Sequence, residues 1–187
     1  MTKEKTRRKP SKGVKITKYK GHKLIDSAEA ELYFSEIKKP SYNIFQRKPT
    51  VICVSGYFSI IHAGHIRMFK EAKALGDKLV VILNNDEQLF NKKGAVIIPA
   101  TQRKEVLEAI QYIDEVIIAV DKDNTVCETL RRLQPNVFAN GGDRIETNVP
   151  EVQVCQNYGI ELAWNIGDGG KVDSSSRLIK EIIKGKV

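Results

Sequence analysis

Two histidines three residues apart form the most chemically suggestive pattern in this sequence. His62 and His65 flank Gly64 directly after an apolar run, and the spacing of the apolar residues that follow predicts an amphipathic helix beginning here. The first turn of a helix has free N–H donors and a partial positive charge, which suit an anion. Two imidazoles on that turn can donate to one phosphate, so the pattern predicts fixed donors that stabilise charge during nucleotidyl transfer.

A glycine turn precedes the histidines. Gly56 lets the chain leave a strand without a side-chain clash, and Gly64 would let a phosphate come close to the backbone. Taken singly, each histidine is more simply a surface or core side chain with satisfied hydrogen bonds. Both histidines together, after a buried strand and at a helix start, favour phosphate binding.

Five apolar, β-branched runs recur along the chain and predict five strands: residues 51–55, 79–83, 115–120, 136–139 and 160–164. Strands that are apolar on both faces and alternate with helices are typical of a buried parallel sheet. The predicted fold class is therefore α/β, a Rossmann-like doubly wound sheet of about five parallel strands. Such sheets bind ligands beyond the carboxyl ends of their strands, where the glycine turn is expected to lie.

Helical periodicity separates these strands, and the helix ends carry sequence signals. We expect Gly76 to close the helix that carries the histidines as its C-terminal glycine. Thr101 is predicted to cap a later helix, and Thr125 with Glu128 to form a capping box before a helix that Pro135 ends. A last helix is predicted to carry the apolar residues at 178–183.

Positive charge is concentrated at the N-terminus. Residues 1–48 contain 14 Lys and Arg against 5 Asp and Glu, whereas the other residues contain 17 against 18. We interpret 1–48 as a basic, partly flexible extension with a short helix at 27–38, and 49–187 as the domain that carries the histidine pair and its proposed nucleotidyl-transfer chemistry. The extension has two interpretations, a solvated tail or an electrostatic tether to nucleic acid. The solvated tail is favoured because the basic stretch lacks interleaved aromatic residues.

Several function classes are disfavoured. No apolar run approaches the roughly 18 residues of a membrane span, and the basic start lacks the apolar segment of a secretory signal. Cys53, Cys127 and Cys155 are odd in number and widely spaced, which is typical of reduced thiols rather than of disulfides or a metal site. We therefore expect a cytoplasmic protein without membrane contact.

Several motifs in order resemble the cytidylyltransferase-like nucleotidylyltransferase family over roughly residues 51 to 184. After the Gly-aromatic turn and His-x-Gly-His, they are LGDKLVVILNND (75–86), KKG (92–94), the arginine of TQRKEVLEAI (101–110), YIDEV (112–116), the GGD at 141–143 and SSSRLI (174–179). The nearest types are glycerol-3-phosphate cytidylyltransferase and the adenylyltransferase that makes ADP-activated heptose. The resemblance implies transfer of a nucleoside monophosphate, CMP favoured, from an NTP to a phosphorylated sugar or polyol, in an enzyme that commonly forms homodimers.

The resemblance also implies residue roles. His62, His65 and Lys92 would be catalytic, the lysine bridging the α-phosphate and the acceptor phosphate. Asp86 and Lys93 would contact the acceptor. The nucleotide would be held by Gly56, Tyr57, Phe58, Gly64, Gly141, Gly142, Asp143, Lys171, Ser174, Ser175 and Ser176. Simpler roles compete: the two lysines as solvated charges, the serines as a plain helix cap and the glycines as a tight turn.

Arg103 and Asp114 are expected to be structural, as a charge pair that supports the sheet edge or a subunit contact. Magnesium is expected as cofactor because the charge of a triphosphate, CTP or ATP, must be offset for attack, although no residue is assigned as its ligand.

Two departures from the family pattern leave alternatives open. Ser59 stands where the family usually has an acidic residue, and Asp168-Gly169-Gly170-Lys171 replaces a run that contains an arginine. The missing arginine leaves an adenylyltransferase that uses ATP with a sugar phosphate or a cofactor precursor as the alternative. Ser59 and the basic tail leave a second alternative, an inactive nucleotide-binding module whose tail contacts nucleic acid.

Overall fold

The computed structural model describes residues 15–17, 48–141 and 149–167. Within these ranges the strands are β1 (Lys15–Thr17), β2 (Val51–Gly56), β3 (Lys78–Leu83), β4 (Glu115–Ile118), β5 (Val137–Gly141) and β6 (Glu161–Ile166). The helices are α1 (Ala63–Ala74), α2 (Asp86–Lys93), α3 (Ala100–Glu108), α4 (Cys127–Leu133) and α5 (Glu151–Tyr158).

The strands form one sheet in the order β1-β6-β5-β2-β3-β4. Strands β2 to β6 are parallel to their neighbours, and β1 pairs antiparallel with β6. The predicted α/β class with five parallel strands is confirmed. The strand order reverses at β2, which lies between β3 and β5, so the crevice beyond the carboxyl end of β2 is the switch point where such sheets bind ligands.

Helices cover both faces of the sheet, and successive residues of β2 show the division. Ile52 and Val54 are buried in a core cluster with Phe69 of α1 and Leu107 of α3. Cys53 points to the other face, in a second cluster with residues of α4 and α5. The two faces are buried by different helices, which explains the near-continuous apolar character of the strands.

Strand β1 is a finding that the sequence analysis did not anticipate. Residues 15–17 belong to the basic extension that was expected to be partly flexible, yet they pair with β6 in the register Lys15↔Trp164 to Thr17↔Leu162. Three residues, one of them apolar, are too few for the alternation that predicts a strand. The domain boundary at residue 48 stays a prediction.

Gly76 does not close α1 in the predicted way. The helix ends at Ala74 with Leu75 as its C-cap, whose backbone is right-handed, and Gly76 is not among the glycines with positive φ. A Cβ at Gly76 would lie 2.6 Å from the carbonyl oxygen of Thr50. Glycine is required here by the close approach of the chain before β2, not by a left-handed cap.

Two predicted helix caps are also wrong. The N-cap of α3 is Pro99, without a side-chain cap, and the backbone N–H of Ala100 donates to Asp86 Oδ1 at 2.8 Å. At α4 the expected Thr125–Glu128 box is replaced by Asp121, which accepts from the backbone of Glu128 at 2.6 Å. In both cases the capping carboxylate comes from outside the helix, so local spacing could not reveal it. The end of α4 before Pro135 is as predicted.

Within the described ranges, no helix is long and apolar enough to cross a membrane. The predicted helix at 27–38 and the last helix around 178–183 lie outside the described residues.

Candidate active site

The site is built around the turn between β2 and α1. Phe58 is buried with a φ of 45°, a left-handed conformation that costs a non-glycine residue about 1–2 kcal/mol. Its ring packs back over the end of β2, where a Cβ at Gly56 would lie 2.7 Å from Phe58 Cζ. Gly56 is therefore needed for the ring to fold over the strand, and the ring is held by Phe69 at 5.3 Å between centroids.

The two histidines lie side by side at the start of α1, as predicted. His62 is the N-cap residue, and His65 occupies the third position of the helix. Their rings stack with centroids 3.8 Å apart and planes inclined by 24°. The edge of the Phe58 ring meets His65 at 5.1 Å between centroids, so the turn and the helix together fix this imidazole. Both histidine residues are half-buried and retain exposed surface.

The environment of His65 favours its neutral form. The pKa of His65 is lowered to about 4, chiefly by burial and also by the nearby His62 and Lys93. The backbone N–H of His62 donates to His65 Nδ1 at 3.4 Å. Because Nδ1 accepts, the proton of the neutral ring resides on Nε2, which is then a hydrogen-bond donor for a ligand.

The two candidate lysines end α2 and differ in their surroundings. Lys92 is exposed, whereas Lys93 is half-buried. Burial and the neighbouring charge of Lys92 lower the pKa of Lys93, and the charge of Lys93 acts on His65. The structure thus brings Lys93, rather than Lys92, into the electrostatic environment of the histidines. The catalytic role assigned to Lys92 stays a prediction.

Asp86 begins α2 and is engaged by the protein itself. Its Oδ1 accepts from Arg103 Nη2 at 2.7 Å and from the backbone of Ala100. The expected pair between Arg103 and Asp114 is therefore wrong. Asp114 instead pairs with Lys73, at the opposite end of the sheet. The acceptor contact assigned to Asp86 stays a prediction, because only one of its two carboxylate oxygens is used by these bonds.

The predicted nucleotide-binding residues fall into three groups. In the first group, Gly56 ends β2, Tyr57 and Phe58 lie in the turn that follows, and Gly64 lies in the first turn of α1. Gly141 ends β5 beside that helix: a Cβ there would lie 2.9 Å from both Met68 Sδ and the Ile166 carbonyl oxygen, so packing alone demands glycine. The third group lies outside the described residues: Gly142, Asp143, Lys171, Ser174, Ser175 and Ser176.

Two residues that organise the site were missed or misjudged. Gln88 is fully buried, and its Nε2 donates to the carbonyls of Asp123 and Thr125, both at 2.6 Å, which fixes the segment after β4. The spacing Asn85-x-x-Gln88 matches a capping box and could have revealed it. Arg103, 2% exposed, was expected to support only the sheet edge or a subunit contact.

Ser59 lies in the same turn and is buried. Its Oγ has no hydrogen-bond partner among the described residues. An unpaired buried hydroxyl costs about 1–3 kcal/mol of stability, so the hydroxyl of Ser59 does not stabilise the fold through a hydrogen bond.

This arrangement can bind a polyphosphate and stabilise charge on it. It combines a helix N-terminus, a neutral imidazole that donates from Nε2 and a lysine ammonium. Such fixed donors act where charge develops in a transfer between phosphates, without a covalent intermediate. No group of three potential metal ligands among His, Cys, Asp and Glu occurs in the described part of the chain.

Comparison with known proteins agrees with this geometry. FAD synthase of Pyrococcus horikoshii is 45% identical over 94 residues, which are 50% of this chain and 63% of that protein. The bifunctional protein HldE of Streptomyces coelicolor is 35% identical over 112 residues, 59% of this chain and 24% of that protein. The match thus covers less than two thirds of either relative.

A solved structure, the lipopolysaccharide core biosynthesis protein of Thermoplasma volcanium, superposes with a TM-score of 0.54 at 26% identity. The superposition covers 64% of this chain and 97% of that one. The family model described as cytidylyltransferase-like matches residues 53–162, which include the turn, the histidine pair and both candidate lysines. The chain belongs to the cytidylyltransferase-like family.

Proposed function

We propose that this chain is a nucleotidylyltransferase. A phosphate oxygen of the acceptor attacks the α-phosphorus of a nucleoside triphosphate, a new P–O bond forms, and the bond to the β-phosphate breaks to release pyrophosphate. The observation that carries the proposal is the stacked His62–His65 pair at the N-terminus of α1, beyond the carboxyl end of the central strand β2. In this proposal His65 Nε2–H stabilises the negative charge that builds up on the phosphates.

We favour ATP as the nucleotide, and this replaces the preference for CTP in the sequence analysis. The FAD synthases among the relatives are named for a product that contains an adenylate. No relative reported above is named for a cytidylyl product, and the arginine-containing run of the cytidylyltransferases is missing. CTP remains the competing substrate in the assay below.

The acceptor proposed is a phosphate monoester, either a flavin phosphate, as the FAD synthases suggest, or a sugar phosphate. Magnesium is proposed to enter with the triphosphate and to offset its charge. The described residues do not fit a resident magnesium site, because they contain no group of three metal-ligating side chains and Asp86 is already paired with Arg103. No step is therefore assigned to a protein-bound ion.

The test is a pyrophosphate-release assay with Mg²⁺ and each NTP in turn, across flavin mononucleotide, hexose and heptose phosphates and glycerol 3-phosphate. We expect turnover with ATP and one acceptor class, with the adenylylated product identified by mass spectrometry. Turnover with CTP alone would restore the cytidylyl assignment. An absence of turnover with every pair would overturn the proposal.

The lysine pair offers a matched comparison within this assay. We propose that Lys93 contacts the phosphates, because its charge acts on His65 and its side chain is half-buried, whereas Lys92 is exposed. Lys93→Ala is expected to lower kcat/KM by about 10-fold or more, and Lys92→Ala by clearly less. A larger loss in Lys92→Ala would return the catalytic role to Lys92, as the sequence analysis predicted.

The competing function is an inactive nucleotide-binding module whose basic N-terminal segment contacts nucleic acid, and Ser59 in the family's acidic position favours it. Deletion of residues 1–14 retains β1 and removes six of the 14 Lys and Arg residues of the basic segment. Nucleic-acid binding that is lost on this deletion, in a chain without turnover, would favour the module.

A further inference from the structure

Arg103 is the largest fully buried side chain of the described residues. Its guanidinium contacts two parts of the site, the turn before α1 and the segment 84–98 that contains α2. Its Nη1 donates to the carbonyl oxygens of Tyr57 at 2.6 Å and Asn84 at 3.0 Å, directly after β2 and β3. Its Nε donates to the Ile98 carbonyl at 2.9 Å, and its Nη2 to Asp86 at 2.7 Å. One cation therefore joins the histidine-bearing turn to both ends of the segment 84–98.

The contact with Tyr57 leads directly to the histidines. The next residue, Phe58, holds its left-handed φ and places its ring edge against His65. A backbone conformation of this kind persists only when surrounding contacts fix it. The hydrogen bond from Arg103 to the Tyr57 carbonyl is such a contact, since it fixes the peptide group that precedes the strained residue.

The contacts with Asp86 and Ile98 act on the other half of the site. Asp86 is the first residue of α2, and Lys93 is the last. The Asp86 carboxylate also accepts from the backbone of Ala100, so the same ion pair holds the start of α3. The guanidinium thus fixes the helix that delivers Lys93 relative to the turn that delivers His65.

We propose that Arg103 is a positioning residue of this site, which sets the distance between the His62–His65 pair and the Lys93 helix without touching the substrate. The proposal rests on the proposed function for its kinetic consequences. An ion pair that only supported the fold would need the bond to Asp86 alone. Arg103 also donates to the carbonyls of Tyr57 and Asn84, which follow the ends of two neighbouring strands. Arginine supplies that planar fork, and lysine does not.

The test compares Arg103→Lys with Arg132→Lys, a matched control at an exposed arginine of α4. Arg103→Lys keeps the charge but cannot supply donors to four acceptors at once. We expect kcat to fall by about 10-fold to 10²-fold with a smaller change in KM, because a small displacement of reacting groups costs rate more than binding. Arg132→Lys is expected to retain both parameters.

A second measurement follows His65 itself, without substrate. The chain has three histidines, so ring signals can be assigned by NMR with His22→Gln and His62→Gln variants. The groups facing His65 are His62 and Lys93, and burial dominates its low pKa of about 4. In Arg103→Lys, a loosened Phe58 turn is expected to expose the ring and raise the pKa of His65 towards its ordinary 6.5.

If Arg103→Lys does not fold, Asp86→Asn provides the same two measurements. This variant retains Arg103 and an amide oxygen that can accept from Ala100, but it removes the charge that orients Nη2. A folded Arg103→Lys, or Asp86→Asn in its place, with unchanged kcat and an unchanged pKa of His65 would overturn the proposal. If the wild-type chain shows no turnover with any pair, the proposed function fails, while the NMR titration still decides the role of Arg103.

Discussion

The two ends of β3 carry charge networks of similar composition in different surroundings. At the amino end, Asp114 pairs with Lys73 and accepts from the backbone N–H of Leu79 at 2.6 Å. At the carboxyl end, Arg103 donates to the carbonyl of Asn84 and pairs with Asp86. Both partners of the first pair are partly exposed, at 29% for Lys73 and 37% for Asp114. In the second pair the Arg103 side chain is 1% exposed and only its partner Asp86, at 45%, reaches the surface.

The difference lies in what each network holds. The amino-end network surrounds a connection in which Thr50 donates to Asp77 and Gly76 meets the Thr50 carbonyl closely. The carboxyl-end network surrounds a left-handed Phe58, a His65 with a low pKa and an unpaired buried Ser59 hydroxyl. Left-handed backbone also occurs at Gln134 and Asn165, but here it adjoins a histidine with a shifted pKa, a combination that is common at functional sites.

The largest effect that tests this contrast is expected from His65→Ala. Turnover should fall by about 10²-fold or more, because the lost Nε2–H donor acts mainly on transition-state charge. The measurement is pyrophosphate release under saturating substrate, with unfolding by urea to show that the fold is intact. Near-normal turnover in a folded His65→Ala chain would mean that the carboxyl end of β3 is no more important for the chemistry than the amino end.

Acid should lower the free energy of unfolding through protonation of the His65 ring. His65 has a lowered pKa of about 4 in the folded chain, so between about pH 6.5 and 4 the unfolded chain binds the extra proton. Stability is therefore full above this window and is lost as pH falls through it. From about pH 7 to 5 we expect a loss of about 1–2 kcal/mol, discounted for the ring's partial exposure.

Urea denaturation at several pH values measures how the free energy of unfolding changes with pH. In His65→Gln, whose side chain does not titrate, this dependence should be weaker. An equal slope in both proteins would show that other groups cause the acid sensitivity.

Asp114→Ala tests the amino end. The variant loses a partly exposed ion pair and the acceptor for Leu79 N–H, which together are expected to lower the free energy of unfolding by about 1 kcal/mol. Turnover of the folded protein should stay within about 2-fold of wild type. A clear loss of kcat without loss of stability would mean that the amino end also serves the chemistry.

The smallest effect is expected from Ser59→Ala. Removal of a buried hydroxyl without a partner should leave the free energy of unfolding unchanged or raise it by a few tenths of a kcal/mol. Thr129→Val is the contrasting variant, because the Thr129 hydroxyl accepts from Val120 N–H at 2.9 Å and its loss should be destabilising. A loss above about 1 kcal/mol in Ser59→Ala would show that this hydroxyl has a partner.

The sequence predicts the strands better than the polar contacts. The runs at 51–55 and 79–83 are apolar on both faces, so burial by different helices leaves a continuous pattern that can be read locally. The proximity of His62 and His65 is also a local feature, because residues three apart at the start of a helix lie on the same side of it. These features need no knowledge of the strand order.

The partners of Arg103, Asp114 and Asp121 could not be predicted in this way. Arg103 meets Tyr57, 46 residues away, and this pairing depends on the order and register of β2 and β3. Asp114 and Arg103 are near each other in sequence but lie at opposite ends of β3. The choice between Lys92 and Lys93 likewise depends on how α2 is rotated, which the Asp86–Arg103 pair helps to set.

The central position of β2 has a consequence for synthesis. β2 pairs with β5 through Ile52↔Val137 and Cys53↔Phe138, so the crevice that holds the histidines has its second wall only after the chain has been made past residue 138. Shorter nascent chains lack that wall, and contacts so distant in sequence form slowly. The proposed activity should therefore appear only late in translation.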